Sequence, residues 1–240
     1  MIIDKHFFFN KNTINIFTDA SIKKLNTGEM IACPGCKIIE TDENGIQNTI
    51  FEYSYIIRNA TNNIGELSAI YLGVSSILNL NRRDKIINLF SDSLLCISSL
   101  REWIFNWINN QYNYIMYSSS GEPVKNQEII KSIILLIYYN KLYINFYHQK
   151  GHVTNTDKSL NHAINVFNIS NGCIPTMDLI KNLSLYNNDV DIFTKVMLDN
   201  LFRQGEFNTN EPLLNQVILS TLNNVDFDIY KRLISNKRKE

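Results

Sequence analysis

Residues 13–21 read TINIFTDAS, and the rest of the chain is organised around them. Ile14 and Ile16 alternate with Asn15 and Phe17 in the period of a β-strand, and the run delivers a carboxylate, Asp19, at its end. An apolar strand that finishes on an acid has either a turn to cap or a charge to hold. Two similar endings favour the second reading. Glu66 opens an apolar-striped helix within NNIGELSAIYLGVSSILNL, and Asp92 closes the strand KIINLFSD. Three acids on three elements, each where a core segment meets its loop, point to one site assembled from distant parts of the chain.

A chain of 240 residues suits one substantial domain with an appendage, or two small domains. With 45% hydrophobic and 19% charged residues it has a globular composition and enough apolar side chains for a core. Lys+Arg and Asp+Glu balance at 23 each, which argues against retention on nucleic acid by bulk charge alone and leaves local basic patches open. No apolar run approaches the length of a bilayer span, and MIIDKHFFFN lacks the pattern of a signal peptide. The expectation is a cytoplasmic protein without a membrane partner. The cysteines are Cys33, Cys36, Cys96 and Cys173, of which only the first two form a CxxC. A zinc site wants two more ligands at comparable spacing, and none is visible. IACPGCKII therefore reads first as a strand whose small residues let it sit close to its neighbours, with metal or redox chemistry as the alternative.

The polar turn IKKLNTGEM leads to IACPGCKII as a second strand, and TDENG turns the chain into TIFEYSYIIR as a third. Leu67, Ile70, Tyr71, Val74, Ile77 and Leu78 then recur at helical spacing, which predicts a helix starting within a residue or two of Glu66. KIINLF follows as a buried strand made parallel by the crossover. SLLCISSLREWIFNWINN is a second helix, with Leu94, Ile97, Ile104 and Ile108 on one face, and VKNQEIIKSIILLIYYN is a third. KLYINFYH alternates as a fifth strand, and a loop carrying Gln149, Lys150, Gly151 and His152 runs into the helix SLNHAINVF. The pattern breaks near Asn171 and Gly172. Helices over about 176–185, 189–202 and 211–234 complete the chain, giving an expected division into a domain over 1–170 and a helical extension over 171–240.

The chain from about residue 13 to 168 resembles type 1 ribonuclease H. FTDAS is similar to that family's opening strand and first catalytic Asp, ATNNIGEL to its Thr-Asn-Asn-x-x-Glu helix start, and LFSDS to its second Asp at a strand end. GEPVKN is similar to its Gly-x-Pro-Val-Lys-Asn turn, and QKGHV to its histidine loop. The resemblance implies an α/β ribonuclease H-like fold, a five-stranded mixed sheet in the order β β β α β α α β α flanked by helices, here with a C-terminal α-helical extension. It also implies cleavage of the RNA strand of RNA/DNA hybrids by two-metal hydrolysis, leaving 5′-phosphate and 3′-hydroxyl ends. The residues agree on their own terms. Clustered carboxylates repel and raise one another's pKa until a divalent cation relieves them, and oxygen ligands without His or Cys favour Mg²⁺ or Mn²⁺. Two such ions about 4 Å apart activate a water and stabilise a leaving oxygen.

By resemblance Asp19 bridges both metals, and Glu66 and Asp92 complete their shells. The family's fourth carboxylate is matched by Asn161, whose amide oxygen ligates without charge, or which is a surface residue with no role. Asp157, four residues earlier, is a substitute acting through a water. His152 resembles the family's mobile proton donor or product-release residue, against the alternative of a solvated loop histidine. Asn62 and Asn63 are candidates to bond 2′-hydroxyls or base edges, or to cap their helix. Thr61 and Asn126 resemble a pocket for a DNA-strand phosphate, with Arg58 nearby. Trp103, Trp107 and Lys125 resemble the protrusion that grips the hybrid, although a buried tryptophan pair is an equal alternative for Trp103. That protrusion is poor in cations, having only Arg101 and Lys125. The extension over 171–240, ending in Lys237, Arg238 and Lys239, is left to supply an extra nucleic-acid contact or to bind a protein partner. The rival functions are a non-catalytic nucleic-acid-binding module of the same fold, motivated by Asn161, and a nuclease of this fold acting on another duplex.

Overall fold

In the computed structural model, residues 1–204 and 225–234 are described, the side chains of 201–204 excepted. Five strands form the main sheet: β2 (Thr13–Lys24), β3 (Met30–Thr41), β4 (Gln47–Ser54), β6 (Ile86–Ser91) and β7 (Ile144–His148). They lie in the order β4-β3-β2-β6-β7, and β5 (Ile57–Arg58) pairs with β3 beside β4. β2–β3–β4 is an antiparallel meander, whereas β2, β6 and β7 run parallel. The expected third strand is thus divided into β4 and β5.

Helices cover both faces. On one side α2 (Asn62–Asn79) and α5 (Gln127–Asn140) pack over Ile14, Ile16, Ile38, Leu89 and Phe146. On the other, α1 (Lys5–Phe8), α6 (Asp157–Asn171) and α7 (Met177–Gln204) cover Phe17, Ile39, Phe90 and Tyr147. Strand period sets this division, because Phe17, Phe90 and Tyr147 share the parity opposite to Ile16, Leu89 and Phe146. Phe17 stacks on Phe90 at 5.0 Å between centroids, Phe90 on Tyr147 at 5.4 Å and Tyr147 on Phe167 of α6 at 6.0 Å. Each such pair adds about 0.5–1.5 kcal/mol beyond its buried area. Two residues back along the same strands, buried amides form a ladder. Asn145 donates to Asn88 at 3.0 Å, Asn88 to Asn15 at 3.1 Å, and Asn15 to the Phe8 carbonyl at 3.0 Å. The ladder locks the register of the three parallel strands, since a slip strands a buried amide without a partner.

The expected helix over 93–110 is three segments: α3 (Leu94–Ser98), a π-helical turn over Ser99–Trp103 and α4 (Ile104–Asn109). The inserted turn re-phases the helix, so Leu100 joins Ile97 and Ile104 in the core while Leu94 is exposed.

The expected helices over 176–185 and 189–202 are one, α7. The polar run Tyr186 to Asp189 reads as a break, but its side chains are used elsewhere. The Tyr186 hydroxyl donates to Gln47 of β4 at 2.8 Å, the Asn187 amide oxygen accepts from Gln149 at 2.7 Å, and Asn188 donates to the Val153 carbonyl at 3.3 Å. α7 therefore holds the sheet edge and the loop around His152 together. A two-residue strand β8 (Ile174–Pro175) also pairs with β1 (Ile2–Ile3). Further on, α8 (Phe227–Leu233) docks on the α2/α5 side, where the buried Tyr230 hydroxyl donates to the Leu100 carbonyl at 3.1 Å. Residues beyond 170 thus pack on both sides of the sheet, α7 on one and α8 on the other. Most of the helix expected over 211–234, and the tail with Lys237, Arg238 and Lys239, lie outside the described residues.

Candidate active site

Asp19 is not the last residue of its strand. β2 continues to Lys24 in its pairing with β3, but its pairing with β6 ends at Thr18 opposite Ser91. Asp19 and Asp92 are each the next residue, so both leave the carboxyl-terminal edge of adjacent parallel strands, where crevices form in open α/β sheets. Glu66 comes from α2, which begins at Asn62, four residues before Glu66, because Thr61 supplies the cap: its side chain accepts from the Ile64 amide at 3.4 Å. One ligand atom from each of Asp19, Glu66 and Asp92 lies within 4.8 Å of the others.

Taking these acids out of water is costly, and their protonation shows it. Burial, followed by the charges of Asp92 and Asp191, pushes Asp19 up to about 7, although the Ala20 amide donates to its carboxylate at 2.7 Å. Glu66 is held well above the carboxylate range, by burial first and then by Asp19 and Asp92. Asp92 is raised by burial, with His152 acting in the opposite direction. The oxygen Glu66 Oε2 is buried with no hydrogen-bond partner. A buried, unpartnered carboxylate oxygen facing two more carboxylates matches what a hard divalent cation requires, and no His or Cys competes for softer metals in the cluster.

The cleft around these acids has a volume of about 540 Å³. Asn62, Ser93 and His152 line it, and α7 forms one wall with Asp191, Lys195, Leu198 and Asp199. Asp191 is a carboxylate that reading the sequence alone missed. Its Oδ2 accepts from Lys195 Nζ at 2.7 Å and lies 3.5 Å from His152 Nδ1. α7 reaches the cleft because it packs on β2 and β3. The residue paired with Asp19 across β2 and β3 is Gly35, and a Cβ there would overlap Cγ2 of Thr194. Three contacts then fix the helix in register: Lys37 to Asp189 at 3.0 Å, Ser21 to Thr194 at 2.8 Å and Lys23 to Asp199 at 2.9 Å. The CxxC strand is thus a packing device. Cys33 and Cys36 are buried free thiols, and burial pushes Cys33 up to about 11 and raises Cys36 further.

Asn161 stands elsewhere. α6 turns Leu160, Ala163 and Phe167 into the aromatic layer, which leaves Asn161 and His162 exposed outside the cleft, together with Asp157 in the first turn. The structure thus does not bring Asn161, expected as a fourth ligand, into the cleft; the further carboxylate that lines it beside Asp19, Glu66 and Asp92 is Asp191. His152 does reach the cleft, on a loop whose Gly151 lies so close to Asp92 that a Cβ would overlap the carboxylate. His148 is structural, holding Ser170 at 2.8 Å and the Asp92 carbonyl at 3.2 Å. Of the proposed substrate contacts, Asn62 lines the cleft and Asn63 is half-buried in the first turn of α2. Arg58 forms a bidentate pair with Glu29. Asn126 precedes α5 in the left-handed region at φ +57° without a side-chain capping bond, and Lys125 beside it is exposed. Trp103 is 40% exposed and lies 5.9 Å from the half-buried Trp107, so the pair is not a fully buried one.

The family model for RNase H matches residues 11–165. The chain belongs to the ribonuclease H family. Ribonuclease HI of Haemophilus influenzae is 35% identical over 100 residues, covering 42% of this chain and 58% of that protein. Ribonuclease H of Tropheryma whipplei is 31% identical over 119 residues, covering 48% of this chain and 70% of that protein. The chain thus spans a little over half the length of the first of these relatives. Among solved structures, that of the PFV RNase H domain aligns with a TM-score of 0.49 and 19% identity, over 65% of this chain and 93% of that one. The family match ends on α6 at residue 165, before the helix that carries Asp191. Among the described residues no helix is long and apolar enough to cross a membrane.

Proposed function

We propose that the chain is a divalent-metal-dependent endonuclease that cleaves the RNA strand of RNA/DNA hybrids in the cytoplasm, leaving 5′-phosphate and 3′-hydroxyl ends. Two Mg²⁺ or Mn²⁺ ions would be held by Asp19, Glu66 and Asp92, with Asp191 beside them. The observation that carries this reading is the partnerless, buried Glu66 Oε2 inside a cluster of carboxylates at the carboxyl edge of a ribonuclease H sheet.

When bound, the cations activate a water and stabilise the leaving oxygen of the phosphodiester. The protein's own groups do the rest. The Ala20 amide, donating at 2.7 Å, orients the Asp19 carboxylate. Asn62 at the cleft presents an amide to a 2′-hydroxyl, the group that tells RNA from DNA. Thr61, Asn63 and Asn126, with Lys125 and Trp103 at the protrusion, engage backbone and sugar, which fixes the duplex without reading sequence. His152, with Nδ1 at 3.5 Å from Asp191, moves a proton between solvent and the leaving strand or helps release product.

The test is incubation of the purified protein with end-labelled RNA/DNA hybrid, RNA duplex and DNA duplex, with Mg²⁺, Mn²⁺ or chelator, beside Asp19→Asn. Metal-dependent cutting of the RNA strand of the hybrid alone is expected. Cutting that survives in Asp19→Asn, or in chelator, rejects the assignment.

A further inference from the structure

A cleft that gathers carboxylates repels the polyanion it is meant to hold, and this chain carries few cations where the protrusion stands. Over residues 94–126 they are Arg101 and Lys125. Arg101 is committed to the protein, donating to the Phe146 and Ser170 carbonyls at 3.3 and 2.9 Å and to Asn171 at 3.3 Å, besides pairing with Glu102. Lys125 alone is left for the duplex.

The cleft has two other lysines. Lys195 on α7 and Lys23 on β2 both line it, and their side chains are 54% and 41% exposed. Each is paired with an acid of the same wall, Lys195 with Asp191 at 2.7 Å and Lys23 with Asp199 at 2.9 Å. The Lys23–Asp199 pair is exposed on both sides and worth about 0–1 kcal/mol, so exchanging its acid for a phosphate costs little, whereas the Asp191 side chain is only 14% exposed and gives up Lys195 when another cation takes its place. A divalent cation on Asp191 would compete directly with the Lys195 ammonium for the same oxygen and free it. The four-carbon stem then lets that charge follow a phosphate without moving the helix. Nothing of this kind is available to Arg101.

We propose that the α7 wall of the cleft is a phosphate-gripping surface, in which Lys195, with Lys23 beside it, holds the nucleic-acid backbone next to the acidic site. The proposal rests on the hybrid reading above and adds to it where the grip comes from. The duplex runs between the α7 wall and the amino terminus of α2, with Asn62 on its other side.

The experiment uses the full chain with Asp19 in place and follows the dissociation constant of a fluorescently labelled RNA/DNA hybrid across a KCl series in Ca²⁺, a cation that carboxylates bind in a looser geometry than the one that favours cleavage, so that bound hybrid stays intact. Removing one cation that neutralises a phosphate flattens the slope of log affinity against log salt by about 0.9. Adding Lys195→Gln or Lys23→Gln should weaken binding and flatten the slope by about that much, and adding both by about 1.8, twice what removing Lys125 alone can do. Melting temperature controls for folding. An unchanged slope in the double variant, with only the Mn²⁺ half-saturation moved, overturns the proposal and makes Lys195 a counter-ion for Asp191. The two readings fail separately. If the parent chain cuts hybrids while the slope is unchanged, only the grip is wrong; if the slope flattens as expected while the parent chain cuts nothing, only the nuclease reading is wrong.

Discussion

The first two helices after the last strand of the main sheet invite opposite assignments. α6 comes first, directly after the histidine loop, and is where a chain of this family is expected to carry its final carboxylate. It carries Asn161, which is exposed, and its buried face serves the aromatic layer beside β7. α7 comes second, beyond the matched residues, and it crosses β2 and β3 with Asp191 and Lys195 in the cleft. A helix contributes to a site according to the strand it lies on, and order along the chain is only a guide to that. Gly35, across from Asp19, decides the matter locally, because it is where Thr194 comes down onto the sheet.

The sharpest way to test the difference between the two helices is to remove charge from each region in turn. Asp19→Asn, which takes away the acid central to both, should reduce hybrid cleavage at least about 10³-fold, several kcal/mol of transition-state stabilisation, with hybrid binding retained in a salt-dependent binding assay. Asp191→Asn should lower cleavage by about 10- to 100-fold, or about 1.4–2.7 kcal/mol, while Asn161→Asp and Asn161→Ala leave single-turnover rates unchanged. A gain of activity in Asn161→Asp would return the role to α6.

Packing can be disturbed as well as charge. Gly35→Ala should cost about 1–3 kcal/mol in denaturant unfolding, because the new methyl overlaps Thr194, and should lift α7 away from the cleft. Thr194→Ser keeps the hydroxyl that meets Ser21 and removes the overlapping methyl. The double variant should recover part of the loss in a double-mutant cycle, whereas simple additivity would show that the two positions do not touch.

The smallest effect is on pH. Asp19 is raised from 3.8 to about 7, so between those values the folded protein binds a proton that the unfolded chain does not. Stability from this group is present in full below about 3.8 and is lost as pH rises through about 7. Metal-free protein should therefore melt at progressively lower temperature across that window from this cause. Asp19→Asn should flatten the trend, and Mg²⁺ should raise the melting temperature most at the alkaline end, where the carboxylates are charged. A melting temperature that rises through the window in metal-free wild type but not in Asp19→Asn would contradict the shift.

Much of this was legible in the sequence. The alternation of 13–18, the period change at Leu67 and the acids at Asp19, Glu66 and Asp92 specify strands, crossover and cluster, because burial on a pleated or helical surface imposes those periods. The strand β1 leaves no signal in the sequence, since Ile2 and Ile3 gain their partner only from Ile174 and Pro175 far along the chain. The π-helical turn was hidden because one inserted residue in a helical stripe still looks apolar. α7 reads as two helices, and Asp191 carries no distinguishing signal, for a related reason. Asp191, Lys195 and Asp199 recur at i, i+4 and i+8, the pattern of an exposed helix face, while Val190, Thr194 and Leu198 make the buried one. Only the fold shows that the boundary between those faces runs along a cleft.

The most direct test is a calorimetric titration of Mn²⁺ into metal-free wild type, Asp191→Asn and Asn161→Ala at a pH above that at which Asp19 ionises. If α7 supplies the fourth carboxylate, Asp191→Asn binds Mn²⁺ about tenfold or more weakly, or loses one of two binding events, and Asn161→Ala is indistinguishable from wild type. Wild-type affinity and stoichiometry in Asp191→Asn, with weakened binding in Asn161→Ala, would contradict it and place the fourth ligand on α6.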